Sequence, residues 1–314
     1  MPTDARSPAA LSVVIPHYEQ SGILAATLDA LSAQEDAPPF EVLVVDNGSR
    51  VPPDDLCRRC LARARMQVRL LRQPRPGPGP ARNLGAATAR APLLAFLDAD
   101  CVPEPDWLAA IARRFAGEPE ADVLGGDVLI RPADPAAWTP VECYEAVYSY
   151  RQRLFIERDG YAATCNMAVR RAVFDAVGPF AGIGVAEDID WGRRASAAGR
   201  RIVYAPEVRV RTPARAGFAE LARKLDRHAA HEFAMLDAGP AAKARWALKT
   251  AAMAVSPLAE IPAVVGTDRL SGSRDRLRCL ACLARTRLWR ARRMAELLAS
   301  RSPDRLVEAW RRAP

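Results

Sequence analysis

Four short apolar runs in the first hundred residues each stop at a proline or an acidic turn, and that recurrence limits the folds open to the chain. Leu11-Ser-Val-Val-Ile15 ends at Pro16, and Phe40-Glu-Val-Leu-Val-Val45 ends at Asp46-Asn-Gly-Ser49. Val68 to Leu71 precedes a Pro/Gly loop over 74–80, and Leu93-Leu-Ala-Phe-Leu97 ends at Asp98-Ala-Asp100. Short runs this rich in aliphatic and β-branched residues read as buried strands. Helical patterns lie between them: Leu24, Leu28 and Leu31 behind a Ser21 N-cap, and residues 81–90 behind the Pro/Gly loop. Strand–helix alternation of this kind builds an α/β fold, a mostly parallel sheet with right-handed crossovers and flanking helices.

Further along, 105–115 reads as a helix, 123–130 as a strand and 141–154 as a helical stretch. Residues 171–177 form a short helix closed by Gly178-Pro179, and 188–198 another closed by Gly199. Residues 201–204 and 208–211 read as short late strands. From Phe218 the pattern is helical, with breaks near Gly239-Pro240, Pro257, Gly266 and Pro303. A boundary is expected near residue 215, between an α/β catalytic domain over 1–215 and a basic helical C-terminal extension over 216–314.

Half of the 314 residues are hydrophobic, which excludes a disordered chain. The most apolar stretch, Trp246 to Val265, is broken by Lys249, Pro257, Glu260 and Pro262, so no membrane span is expected. Met1 to Ala10 carries Asp4 and Arg6 without an apolar core, which points away from a secretory signal and towards a cytoplasmic protein. Seven cysteines, an odd number, read as free thiols. Cys57/Cys60 and Cys279/Cys282 have the spacing of a zinc half-site but sit in Arg/Leu/Ala stretches without turn residues, so zinc is not expected.

Charge is unevenly spread. Residues 211–314 hold 21 Lys and Arg against 10 Asp and Glu, and the rest of the chain holds 24 against 27. The basic end suits an anionic partner such as phospholipid headgroups or a lipid diphosphate; an arginine-rich coding bias explains the same count, since only three cations are lysines. Arg274 to Arg293 mixes Leu277, Leu280, Leu283 and Leu288 with many arginines, as an interfacial amphipathic helix or a helix docking an apolar stripe would. The tail contains no nucleic-acid motif, and nucleic acid is not the expected partner.

Chemistry concentrates where elements end or begin: Pro16-His-Tyr-Glu19, Asp46-Asn-Gly-Ser49, Gly79-Pro-Ala-Arg-Asn83, Asp98-Ala-Asp100 and Glu187-Asp188-Ile-Asp190. In a parallel sheet the C-terminal strand ends share one edge, where ligands bind. Two carboxylates at a strand end call for a cation, and a divalent ion carrying a diphosphate fits them. Alone, the tripeptide fits a solvated acidic turn equally well.

The five clusters in this order resemble family 2 of the nucleotide-sugar glycosyltransferases, which have the GT-A fold. The resemblance runs from about Leu11 to Thr212 and rests on SVVIPHYEQ, EVLVVDNGS, GPARNLGAATA, LLAFLDAD, CNMAVRRAVFDAVGPF and EDIDWGRRASAAGRRIVYAP. It implies transfer of a sugar from a nucleotide diphosphate to an acceptor hydroxyl with inversion. It implies that Pro16, Tyr18 and Glu19 border base and ribose, that Asp46 pairs with the base, and that Arg82 and Asn83 contact base and phosphate. It places Asp98 near ribose and diphosphate, Asn166 beside the donor sugar, and Asp100 as the principal ligand of Mg²⁺ or Mn²⁺. Asp188 matches the family's base, with Glu187 orienting the site or binding acceptor; Trp191 stacks on a sugar or belongs to the core.

The chain departs from the family at Thr212, where many relatives carry a metal-binding histidine; His228 and His231 are the candidates to replace it, and His17 is expected beside the nucleotide. No QxxRW motif is present, which implies a non-processive enzyme. The acceptor is expected to be a sugar, a lipid-linked molecule or another small molecule in cell-envelope, polysaccharide or glycolipid synthesis. Two other readings fit the same residues: a nucleotidyltransferase of related fold, and a catalytically weak nucleotide-sugar-binding protein.

Overall fold

A computed structural model describes residues 9–59 in full, the backbone of 60–63, and residues 66–183, 185–236 and 239–300. Strands β1 (Leu11–His17), β2 (Phe40–Asp46), β3 (Gln67–Arg72) and β4 (Leu93–Leu97) alternate with helices α1 (Ser21–Ser32), α2 (Asp54–Arg63) and α3 (Pro78–Thr88). The four strands pair in parallel in the order β3-β2-β1-β4. Val13, Ile15, Val42, Val44 and Leu97 join one buried cluster with Leu24, Leu28 and Leu31 of α1. Val14, Leu43, Val45, Leu94 and Phe96 join another with Ala81 and Ala86 of α3. Successive side chains point to opposite faces, and both faces are covered, which is why these strands read as unbroken apolar runs. Helix α3 approaches closely, for a Cβ at Gly85 would overlap Val14 Cγ1.

Past β4 come β5 (Val102–Pro103), α4 (Trp107–Gly117), β6 (Val123–Arg131), α5 (Pro140–Tyr148), α6 (Gln152–Asp159), β7 (Asn166–Arg170), α7 (Arg171–Val177), α8 (Glu187–Ala197) and β8 (Ile202–Pro213). The sheet reaches eight strands in the order β3-β2-β1-β4-β7-β6-β8-β5. Asn166 to Arg170, which the sequence pattern does not mark as a strand, is one within the sheet, antiparallel to both β4 and β6. The expected helix over 141–154 is two helices: Tyr150, with φ 45°, lies in the left-handed region and cannot continue a right-handed one. The two late strands are a single strand, β8. Gln20, not Ser21, stands at the N-cap of α1.

The chain divides into two compact units, the first running to Leu129 and resuming over Tyr150–Thr212, the second made of Ile130–Ser149 and everything from Pro213 on. The second unit is helical: α5, opened by a Thr139/Glu142 capping box, α9 (Phe218–Ala234), α10 (Pro240–Ala259), α11 (Ile261–Gly266) and α12 (Ser273–Ala299). Helix α12 is docked along its length. Cys279 and Leu283 pack with Cys143 and Val264, Cys282 with Val141 and Leu221, and Met294 and Leu297 with Ala229 and Trp246. Its arginines pair within the unit: Arg293 with Asp226 at 3.1 Å, Arg290 with Glu232 at 2.7 Å and Arg287 with Glu260 at 3.3 Å.

Burial pushes the Cys279 and Cys282 thiols up to about 12, and both pack as small hydrophobes, Cys279 with Cys143 and Cys282 with Val141. The six described cysteines are free, while the side chain of Cys60 and the break at Pro303 lie outside the described residues. Among the described residues no helix is long and apolar enough to cross a membrane.

Candidate active site

The parallel register sets His17 opposite Asp46 at the C-terminal ends of β1 and β2. Both are buried, with Nδ1 of His17 3.1 Å from Oδ1 of Asp46. On the other side of the ring, Nε2 accepts the Gln20 backbone N–H at 3.3 Å. An amide only donates, so the ring proton sits on Nδ1 and His17 donates to Asp46. The Ser21 hydroxyl lies 3.4 Å from the same Nε2. Asp46 Oδ2 takes no hydrogen bond among the described residues. Ser49 Oγ lies 3.3 Å from Nδ1 and accepts the Glu19 N–H at 2.9 Å.

Glu19 itself turns outward at a left-handed φ of 55°. The Arg50 backbone N–H at 3.0 Å, and then its guanidinium at 3.3 Å, hold the Glu19 carboxyl below the usual carboxylate range. Asn47 shapes the neighbouring loop by accepting the Gly77 N–H at 2.6 Å and donating to the carbonyls of Gln73 and Arg75. That loop leads into α3.

Arg82, near the start of α3, is buried, with Nη2 2.6 Å from Asp98 Oδ1 and Nη1 2.7 Å from Glu187 Oε1. One guanidinium therefore joins the end of β4 to the start of α8. Burial alone would pull its pKa down; the facing carboxylates of Asp98 and Glu187 outweigh burial and hold it above its ordinary value. Its Nε is buried without a hydrogen-bond partner. From the sequence Arg82 is expected against base or phosphate; the structure engages it with two carboxylates. Asn83 exchanges two hydrogen bonds with the Phe180 backbone, at 2.9 and 2.8 Å, and a Cβ at Gly79 would overlap the Ala181 carbonyl. These contacts fasten the segment leading to α8 onto α3.

Helix α8 opens on Glu187 and Asp188. Asp188 Oδ1 accepts the Ile189 N–H at 2.8 Å. Burial first, and the charge of Glu187 second, push the Asp188 carboxyl above the ordinary range. A carboxylate raised in this way is a stronger proton acceptor. Asp100 follows β4, with the Cys101 thiol 3.6 Å from its Oδ1.

Two carboxylates one residue apart suit a hard divalent ion, which keeps water and substrate phosphates as its other ligands. Among the described residues no group of three or more His, Cys, Asp and Glu stands ready to enclose a metal. Thr212 is buried with its hydroxyl unpartnered, and His228 and His231 lie exposed on α9 in the second unit. The donor set therefore fits an ion shared with a diphosphate and does not fit a closed protein cage.

Of the remaining expected residues, Pro16 is half-buried in β1 opposite Val45, and Tyr18 is 60% exposed beyond the strand end. Asn166 is buried, its carbonyl taking the Trp107 indole N–H at 2.9 Å and its amide donating to the carbonyls of Asp127 and Val208 at 2.8 Å each. That side chain fastens β7 to its neighbours. Trp191 is wholly buried, stacked on Phe174 and donating to the Gly178 carbonyl at 2.9 Å, so it belongs to the core. Asn47, Ser49 and Trp107 had no role of their own in the sequence pattern. The Asn-Gly-Ser turn was a signal for the first two, while Trp107 offered none, because its partner lies in a strand the pattern did not reveal.

Comparison with known proteins bears on the family and the fold. Residues 8–230 match the family described as Glycosyltransferase like family 2. Glycosyltransferase AglE of Haloferax volcanii is 32% identical over 217 residues, which are 68% of this chain and 70% of that protein. Succinoglycan biosynthesis protein ExoW of Rhizobium meliloti is 39% identical over 130 residues, 38% of this chain and 40% of that one. Validoxylamine A glucosyltransferase of Streptomyces hygroscopicus subsp. limoneus is 38% identical over 117 residues, 37% and 26% of the two chains. The chain thus spans less than half the length of these last two relatives.

Among solved structures, mannosyltransferase PcManGT from Pyrobaculum calidifontis, in complex with GDP-Man and Mn²⁺, gives a TM-score of 0.55 at 18% identity, covering 98% of this chain and 82% of that one. TarS of S. aureus gives 0.51 at 18% identity, covering 91% and 55%. Both likenesses are of fold: a mixed α/β sheet flanked by helices, the GT-A architecture. With its family model matched over most of its length, this chain belongs to glycosyltransferase family 2 and is a glycosyltransferase.

Proposed function

We propose that the chain is an inverting, non-processive enzyme that moves a sugar from a nucleotide-diphosphate donor to an acceptor hydroxyl in a single displacement. The observation that carries this reading is the Arg82 clamp, which draws Asp98 at the strand end and Glu187 at the helix start onto one guanidinium. Donor-binding and proton-accepting carboxylates must lie that close for one displacement to use both. Asp46, held by His17 through Oδ1, presents Oδ2 to an imide N–H of the base, with Pro16 and Tyr18 beside it. Glu19 and Asp98 serve the ribose, and Asp98 with Asp100 faces the diphosphate. Asn83 and Asn166 act by holding α3, β7 and the approach to α8 in place.

Asp188 takes the proton of the acceptor hydroxyl as that oxygen attacks opposite the leaving nucleotide. Its raised pKa suits it to accept a proton, and Glu187, tied to Arg82, fixes the helix turn that presents it. Asp100 would hold Mg²⁺ or Mn²⁺, with Asp98 adjoining, and the ion would supply positive charge against the departing diphosphate. The acceptor is a sugar, lipid-linked or other small molecule of glycan synthesis, and the basic second unit carries peripheral attachment at the cytoplasmic face of a membrane.

A thermal-shift panel of nucleoside diphosphates and nucleotide sugars with Mg²⁺, Mn²⁺ or chelator tests the donor site. Ligand at 100-fold its Kd adds about 2.7 kcal/mol of stability. The expected result is a raised Tm with one nucleotide class, diminished by chelator, and turnover that releases a nucleoside diphosphate. No response to any nucleotide, or release of pyrophosphate, overturns the proposal.

A further inference from the structure

We infer that the outward face of α10, continued by α11, is a lipid-contact surface that seats the protein on an anionic bilayer. This inference rests on the peripheral attachment proposed above and gives it a definite surface. Helix α10 is apolar on two opposite faces. Ala242, Trp246 and Met253 are buried on one, with Trp246 packed against Met294 and Leu297 of α12. On the other, Leu248, Ala252, Val255 and Ala259 recur at the i, i+4, i+7, i+11 spacing of a single helix face, and all are exposed. Leu248 is 72% exposed, Val255 64% and Leu258 73%, and α11 adds Ile261 and Val265. A contiguous exposed apolar patch marks a contact surface.

The charges at the start of this face favour lipid. Lys243 and Arg245 are exposed near the beginning of α10 and make no ion pair among the described residues. Lys249 is already committed to Glu232 at 2.7 Å. Unpaired cations beside an apolar face find their counter-charges in anionic headgroups while the apolar side chains enter the acyl boundary. A second copy docked symmetrically through the start of α10 would set these cations against their own equivalents. Pro257 lies within α10, and the helix gives way to α11 near Glu260, so the segment suits lying along a surface.

The test is co-sedimentation of the full chain with phosphatidylcholine vesicles, with and without phosphatidylglycerol, beside the variant L248E/V255E. Both positions face solvent, so the variant should keep the wild-type Tm; L248A/V255A serves if it does not. The expected result is retention on phosphatidylglycerol vesicles that weakens at high salt and falls more than about ten-fold in the variant. Equal retention of variant and wild type overturns this surface while leaving peripheral attachment standing. Failure of the wild type to bind overturns both. A wild-type dimer at sedimentation equilibrium that the variant turns into monomers assigns the face to a second copy and overturns the lipid reading.

Discussion

Asp98/Asp100 and Glu187/Asp188 are both carboxylate pairs at the border of a secondary-structure element, and each gives one member to Arg82. They differ in the member left over. Asp188 stands in the first turn of α8, where the helix N-terminus favours negative charge, yet burial and Glu187 drive its pKa up. Asp100 lies beyond β4 on the sheet edge, with the Cys101 thiol as a neighbour. A single buried cation thus compensates one carboxylate of each pair. It also sorts them, leaving one outside the clamp beside the proposed diphosphate and one beside the proposed acceptor.

The largest break in this comparison is Asp188→Asn. Transfer should fall about 10²- to 10⁴-fold in kcat, with the donor-induced rise in Tm retained. Equal loss of donor binding would mean that the two pairs do not divide the work. Arg82→Met removes the common partner and leaves the half-buried Asp98 and Glu187 without their counter-charge. Stability should drop by about 1–3 kcal/mol in urea denaturation, and Arg82→Lys should recover little, since an ammonium lacks the fork that reaches both carboxylates. Asp100→Asn is milder: the fold should keep its Tm while the Mn²⁺-dependent part of the donor shift weakens at least about ten-fold. A variant that binds donor and Mn²⁺ as well as wild type would take Asp100 out of the metal role.

The same comparison shows what was legible in the sequence. The strand ends were legible to within a residue or two, because β1, β2 and β4 are apolar on both faces and each run meets a proline or an acidic turn, although β1 continues through Pro16 to His17 and β2 through Asp46. Convergence of Asp46 and Asp98 followed from topology alone. Strand β7 was hidden, since Asn166-Met-Ala-Val-Arg170 is short and no turn residue introduces it. The break at Tyr150 was hidden too, because nothing in its side chain announces a left-handed backbone. Arg82 carries the largest lesson: a basic residue near a helix N-terminus reads as an anion site, and in the structure it meets carboxylates 16 and 105 residues away, which no local pattern announces. In α10 the sequence shows only the most apolar stretch of the tail, and the packing of α12 decides which face is left over.

Glu187→Gln separates the two pairs most finely. The amide keeps an oxygen to accept the Arg82 N–H but removes the negative charge beside Asp188. Asp188 must be unprotonated to act as a base, so activity is lost as pH falls through its pKa in the folded protein. Because that pKa is raised, the acid limb of the wild-type kcat/KM profile should lie above the usual carboxylate range. Without the neighbouring charge the proton leaves more easily, and the limb should move to lower pH. Burial remains the larger cause, so the displacement should be under about one pH unit. Arg82, relieved of one anion, pulls in the same direction and cannot mask the change. A limb that stays put would show that the titrating group is not Asp188, and the division between the acidic pairs would have to be drawn elsewhere.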